Sequence, residues 1–178
     1  MSAERLRQSS RIENGRLYTV TEIDLPGVAP SDVHRAVFDE PWTWWQGGRI
    51  SKRHTTDEGK LSFVLWPVWL RSPARVGIVM APPEQKTRTD DDGAEHTVDV
   101  YPASFFADFD GPGSYETIHR DDGVTVRSVW NGVAPRGFTR TMPLSMLLNV
   151  HLGAEAGTLS FPFRSGTGFP GLASYLGV

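Results

Sequence analysis

The sequence has no cysteine among its 178 residues. Disulfide bonds, thiolate nucleophiles and cysteine-based zinc sites are therefore excluded. It also has no run that approaches the ~18 consecutive apolar residues of a membrane span. Eighteen basic and twenty-one acidic residues give a net charge of −3, so the chain has no basic field that would attract nucleic acid. The sequence thus predicts neither a membrane span nor a nucleic-acid partner.

Aromatic residues are abundant instead, with six Trp, four Tyr and nine Phe. A chain of this length can bury roughly 70% of its unfolded surface without covalent cross-links, which predicts one globular domain. Residues 1–15 are polar and lack the apolar stretch of a signal peptide. We therefore expect a flexible arm over 1–15, a single domain over 16–178 and a cytoplasmic location.

The first half of the chain alternates between strand and short helix signals. Alternating residues over 16–25 predict a strand, and Pro30 and Ser31 mark the start of a short helix that ends near Asp39. Residues 42–45, with three Trp, predict a second short helix or turn. Six more strands are predicted as an antiparallel meander, over 49–56, 60–69, 74–81, 95–109, 114–120 and 124–131. Residues 82–93 are polar and predict an exposed loop.

The last part of the chain changes to helical spacing. Leu144, Leu147 and Leu148 predict a helix over about 143–160, which Gly153 and Gly157 weaken, and a glycine-rich tail follows. This order of elements predicts an α+β helix-grip fold. In that fold a curved seven-stranded antiparallel sheet wraps around the C-terminal helix, two short helices follow the first strand, and a cavity lies between sheet and helix.

Three features carry a resemblance to a known family: the strand over 20–25, the helix start over 29–33 with the Trp cluster over 42–45, and the late strands that end at Trp130. With them the chain resembles the START-related (SRPBCC) superfamily, which includes pollen-allergen-type and polyketide cyclase/dehydrase-like proteins. The resemblance extends from about Arg16 onwards. It implies the helix-grip fold and a small hydrophobic molecule in the internal cavity. The family's last helix is long and continuous, whereas glycines interrupt it here.

Asp122-Gly123 is typical of a two-residue hairpin loop between strands. With this loop His119 pairs with Val126 and Tyr115 with Trp130, and side chains alternate between the two faces. One face then carries Tyr115, Thr117, His119, Val126, Ser128 and Trp130. Aromatic rings, hydroxyls and an imidazole together favour a lined cavity over a filled core, although backbone groups often satisfy buried hydroxyls.

We therefore expect the chain to bind a small hydrophobic or amphipathic molecule, such as a lipid, a polyketide or an aromatic metabolite. The predicted ligand-binding residues are Trp44, Trp45, Phe63, Trp66, Tyr115, Thr117, His119, Val126, Ser128, Trp130, Leu148, His151 and Glu155. The Trp side chains could equally fill the narrow end of the sheet.

Two alternative functions are left open. One is a polyketide cyclase/dehydratase-like enzyme, in which His119 or His151 acts as general base and Tyr115 donates a hydrogen bond to a developing enolate. The other is a co-chaperone-like module that binds another protein through its outer surface. A homodimer is also left open.

Three sequence motifs suggest a cofactor or a metal ion, but none has the spacing or the context that such a site requires. Residues 166–171 match G-x-G-x-x-G but lack the strand, helix and second strand of a dinucleotide site. The acids of residues 90–93 are contiguous, whereas a calcium loop needs them at alternate positions. His151 and Glu155 share a helix face without a third metal ligand. The sequence therefore predicts no cofactor and no metal.

Overall fold

The computed structural model describes residues 6–13, 16–40, 48–67, 76–107, 110–133, 172–173 and 175–178. These residues form nine strands and a ten-residue helical segment, and residues 172–173 and 175–176 are also helical. The strands are β1 (Leu6–Glu13), β2 (Arg16–Pro26), β3 (Gly48–Thr55), β4 (Leu61–Pro67), β5 (Val76–Met80), β6 (Glu84–Thr89), β7 (Glu95–Ala107), β8 (Gly111–Arg120) and β9 (Gly123–Gly132). Helix α1 (Pro30–His34) continues as a π-helical segment (Arg35–Asp39).

All nine strands belong to one antiparallel sheet. Its order is β1-β2-β9-β8-β7-β5-β4-β3, and β6 pairs with β7 beside this path. The thirteen-residue β7 is long enough to serve two partners: its first half pairs with β6 and its second half with β5. Within the described residues, no helix has the length and apolar character that a membrane crossing requires.

The hydrophobic core lies on one face of this sheet, which we call the inner face. Strand alternation places Ile23 and Val126 there, both fully buried. The helical segment covers this face because Val33, Ala36 and Val37 recur at helical spacing and are buried in the same cluster. Leu172 and Ala173, from the described C-terminal residues, are also buried in it.

The helix-grip prediction is wrong. In the part of the chain that the structure describes, nine strands are present where seven were predicted, and a ten-residue helical segment (residues 30–39) follows β2. Among the described residues, that segment and the helical residues 172–173 pack in the core, and no long C-terminal helix lies against the sheet. The helix predicted over 143–160 and the helix or turn predicted over 42–45 lie outside the described residues.

The two additional strands lie where the sequence suggested irregular chain. Residues 6–13 of the predicted arm form β1, and Glu13 pairs with Arg16 across Asn14-Gly15. Asn-Gly is the dipeptide most typical of two-residue hairpin loops, so this signal was available in the sequence. Strand β6 occupies part of the predicted loop over 82–93. It was missed because its residues are nearly all exposed and show no apolar alternation.

The β8–β9 hairpin has the predicted faces but a different register. Arg120 pairs with Gly123 and His119 with Val124, so the loop is Asp121-Asp122. Gly123 has φ of 153°, and a Cβ atom there would lie 2.4 Å from the Leu25 carbonyl oxygen. This glycine is therefore needed where β9 approaches β2 rather than in the loop. Since the register moves by two residues, every side chain keeps its predicted face.

Candidate functional site

A row of hydroxyl groups crosses the inner face. Thr21 pairs with Ser128, Ser128 with Tyr115, and Tyr115 with Tyr101, on four adjacent strands. Thr117 lies two residues along β8 from Tyr115, on the same face. All five residues are buried. The strand pairing therefore gathers hydroxyls from distant parts of the chain into one buried region.

Three of these hydroxyls are unpaired. The side-chain oxygens of Thr21, Thr117 and Ser128 are buried and have no hydrogen-bond partner in the described part of the chain. A buried hydroxyl without a partner costs about 1–3 kcal/mol, which is why native proteins leave few of them. Three such groups on one face therefore call for a specific explanation.

Several aromatic rings belong to the same core as the hydroxyl row. Phe105 and Trp130 meet edge to face with ring centroids 6.1 Å apart, and Phe63 is buried in the same core. On the side of the helical segment, Phe38 lies 6.0 Å from the ring of Tyr101. Apolar walls with a few polar groups are the usual composition of small-molecule sites.

The two tyrosines of the row remain protonated at neutral pH. Burial raises the pKa of Tyr115 to about 12. Burial also raises the pKa of Tyr101, and the nearby negative charge of Asp99 raises it further. The hydroxyls of Ser128 and Thr117 approach those of Tyr115 and Tyr101 closely enough to oppose these shifts, but without the geometry of a hydrogen bond.

Two histidine contacts border the row. His119 Nε2 lies 2.7 Å from Asp99 Oδ2, and Asp99 Oδ1 accepts a hydrogen bond of 3.3 Å from Gln85 Nε2. His34 Nδ1, on α1, lies 3.0 Å from the Tyr101 hydroxyl. The side chains of His119 and Asp99 are 29% and 19% exposed, so this pair is half-buried at the margin of the core.

Within the described residues, no three His, Asp or Glu side chains are grouped closely enough to hold a metal ion. The polar groups at this site are hydroxyls, one carboxylate and imidazoles. Such groups are suited to hydrogen bonding and proton transfer.

The structure brings about half of the predicted ligand-binding residues together. Those on the inner face are Phe63, Tyr115, Thr117, His119, Val126, Ser128 and Trp130. Trp66 lies on β4, but its side chain is not described. The remaining predicted residues lie outside the described chain, namely Trp44, Trp45, Leu148, His151 and Glu155. The predicted catalytic use of Tyr115, His119 and His151 stays a prediction.

Sequence reasoning missed four residues of this site: Thr21, Asp99, Tyr101 and His34. The alternation of the predicted strand over 95–109 places Asp99 and Tyr101 on one face, and this was the available signal. The contacts that these two residues make could not be predicted from the sequence. The contacting residues His34 and Tyr101, for example, are 67 positions apart.

A separate pocket of about 390 Å³ opens at the ends of β2, β8 and β9. Its lining residues are Arg7, Asp24, Leu25, Pro26, Arg120, Asp122, Val124 and Thr125. None of the predicted ligand-binding residues lines it. Arg7 is paired with Asp24, and Arg120 Nη1 lies 3.7 Å from Asp90 Oδ2, so both guanidinium groups that line the pocket have a carboxylate neighbour.

Comparison with known proteins shows little similarity. No family model matches the chain, and no curated protein matches it. A protein from Rhodobacter sphaeroides, whose crystal structure was determined as a structural genomics target, is similar with a TM-score of 0.42 and 8% sequence identity. The match covers 82% of this chain and 90% of that chain. This similarity carries no functional argument, and the resemblance to the START-related superfamily stays a prediction.

Proposed function

We propose that the inner face binds a small, mostly apolar molecule that carries hydrogen-bond acceptors, such as a lipid, a polyketide or an aromatic metabolite. The observation that supports this most is the set of three buried hydroxyls, Thr21, Thr117 and Ser128, without partners among the described residues. A carbonyl or ether oxygen of a ligand would accept hydrogen bonds from them and remove the cost of leaving them unpaired.

The surrounding groups support the same class of ligand. Phe63, Phe105 and Trp130 offer buried apolar and aromatic surface, which favours flat or aliphatic molecules. The hydroxyl groups of Thr21, Thr117 and Ser128 can serve a neutral acceptor without requiring charge on the ligand. A cytoplasmic location, expected from the sequence, is part of this proposal, and cell fractionation would check it.

The test has two steps. First, mass spectrometry under native conditions identifies what the purified full chain retains, and a library of neutral hydrophobic molecules is screened for thermal stabilisation. Second, the best ligand is titrated against Thr117→Val and Ser128→Ala. Each loss of one hydrogen bond, worth about 1 kcal/mol, is expected to weaken binding roughly fivefold.

The matched control is Thr87→Val, because Thr87 is exposed on β6. Its affinity for the ligand is expected to equal that of the wild type. If no library member stabilises the protein, or if Thr117→Val and Ser128→Ala bind as tightly as Thr87→Val, the proposal is wrong.

A further inference from the structure

We propose that His119 and Asp99 form a proton-transfer pair, and that the inner face catalyses abstraction of a proton from a carbon next to a carbonyl group. This inference rests on the proposed function, because the ligand must occupy the inner face for the pair to reach it. It adds to that proposal a reaction, a substrate class and a role for each residue.

The geometry of the pair fixes which nitrogen can act as a base. The Asp99 carboxylate, 2.7 Å from Nε2, accepts a hydrogen bond, so Nε2 of neutral His119 carries the proton. The lone pair is then on Nδ1, which has no hydrogen-bond partner among the described residues. Gln85 donates to the other oxygen of Asp99 and helps to hold the carboxylate in place. Asp99 is therefore a positioning residue that orients the ring.

The groups that would stabilise negative charge lie on the same face. Thr117 is two residues from His119 along β8, and its unpaired hydroxyl approaches that of Tyr101. His34 Nδ1 lies 3.0 Å from the Tyr101 hydroxyl, and in the tautomer whose Nδ1–H donates to the Tyr101 oxygen, the Tyr101 proton is left for a ligand oxygen. Hydroxyls that are already oriented and shielded from water stabilise a developing oxyanion effectively. Thr117 is thus the hydroxyl donor next to the base on β8, and the Tyr101 hydroxyl approaches Thr117 from the adjacent strand β7.

The proposed step needs no further reactant. His119 Nδ1 takes the proton, the C–H bond breaks, and its electron pair moves through the new C=C bond to leave a negative charge on the carbonyl oxygen. The inner-face hydroxyls donate hydrogen bonds to that oxygen. Protonated His119 then returns the proton to carbon, at the same or a conjugated position, so the net reaction is proton exchange or isomerisation.

A second histidine–carboxylate pair in the same chain provides a matched control. His96 Nε2 lies 2.8 Å from Asp90 Oδ2, close to the distance in the His119–Asp99 pair. His96 lies on the opposite face of β7, however, and the same nitrogen is 2.8 Å from Arg120 Nη1. It therefore has a similar carboxylate partner without the inner-face hydroxyls.

The experiment uses 5-nitrobenzisoxazole, a flat neutral probe that reports abstraction of its C3 proton by a base. Loss of that proton forms a nitrile, breaks the N–O bond and leaves the electron pair on a coloured phenolate oxygen. Its 3-methyl analogue has no C3 proton and reports binding alone. The full chain is expected to bind the analogue and to convert the probe about a hundredfold faster than free imidazole at equal concentration.

The variants separate catalysis from folding. His119→Gln is expected to lower kcat about a hundredfold and Asp99→Asn about tenfold, with KM within twofold, whereas His96→Gln keeps the wild-type rate. All three are expected to bind the 3-methyl analogue like the wild type, which shows that the inner face is intact.

Each contrary result has a distinct meaning. Binding of the analogue without conversion of the probe overturns the proton-transfer inference and leaves the proposed function standing. Equal rate losses in His119→Gln and His96→Gln also overturn it. Failure of the analogue and of every library member to bind the wild type counts against the proposed function itself, and the inference falls with it.

Discussion

The sharpest stability prediction compares two buried threonines on opposite faces of the same sheet. Thr21 is fully buried on the inner face, and its hydroxyl has no partner in the described part of the chain. Thr125 is 2% exposed on the outer face, and its hydroxyl donates to Asp24 Oδ1 at 2.7 Å. Replacement of either by Val keeps the branched shape and the preference for a strand.

The two substitutions should have opposite effects. An unpaired buried hydroxyl costs about 1–3 kcal/mol, so Thr21→Val is expected to raise the free energy of unfolding by about 1 kcal/mol, and the melting temperature by about 2–4 °C for a chain of this size. Thr125→Val removes a hydrogen bond to a carboxylate that is also bound by Arg7, and it is expected to lower the free energy of unfolding by about 1–3 kcal/mol.

Urea denaturation followed by circular dichroism measures both values, and calorimetry measures the melting temperatures. If Thr21→Val destabilises the protein as much as Thr125→Val does, the Thr21 hydroxyl is satisfied in the folded chain. The main support for a ligand on the inner face would then be lost, since that support is the unpaired state of its hydroxyls.

Two further predictions concern pH and the β8–β9 hairpin. Burial opposes ionisation of Glu22, but hydrogen bonds from Arg127 and Arg7 outweigh this effect and lower the pKa of Glu22. The hydrogen bond from Arg7 also lowers the pKa of Asp24. A folded-state pKa below the unfolded value means that the unfolded chain binds more protons, so this stabilisation is complete above about pH 5 and is lost as the pH falls. Urea denaturation between pH 3 and 7 should show the loss, and Arg7→Met should reduce it; an Arg7→Met curve parallel to the wild type would contradict the assignment. Gly123→Ala should lower the free energy of unfolding by about 1–3 kcal/mol, since its φ is 153° and the added Cβ would meet the Leu25 carbonyl. Gly93→Ala isolates the effect of φ, because φ is 82° there and no atom lies within 4 Å of the added Cβ. Equal losses of unfolding free energy in both variants would show that the contact with β2 is unimportant.

How far the sequence predicts this fold depends on how local each signal is. The faces of the β8–β9 hairpin were predicted correctly because alternation is a local property of a strand. Its register was not, because Gly123 pairs with Arg120 and lies against Leu25, a residue 98 positions earlier. Strand β6 gives no apolar alternation to detect, since it is an exposed strand held by backbone pairing with β7.

The candidate site shows the same limit. Thr117, Ser128 and His119 could be placed on one face from the hairpin alone. The contact between His119 and Asp99 depends on the register of β7 against β8, and that between His34 and Tyr101 depends on how α1 packs on the sheet. Neither is a local property, so the sequence indicated half of a site and not the groups that complete it.

A comparison of the two faces of the central strands finally indicates that the unpaired hydroxyls do not result from poor packing throughout the sheet. On the outer face, the buried Glu116 is bound by Arg88 through two hydrogen bonds of 2.8 and 3.1 Å, and Thr125 is bound to Asp24. On the inner face of the same strands, Thr117 and Ser128 have no such partner among the described residues. A fold that satisfies buried polar groups on one face has the means to do so on the other. Departures from such rules concentrate at functional sites, which is why we propose the inner face as a ligand site.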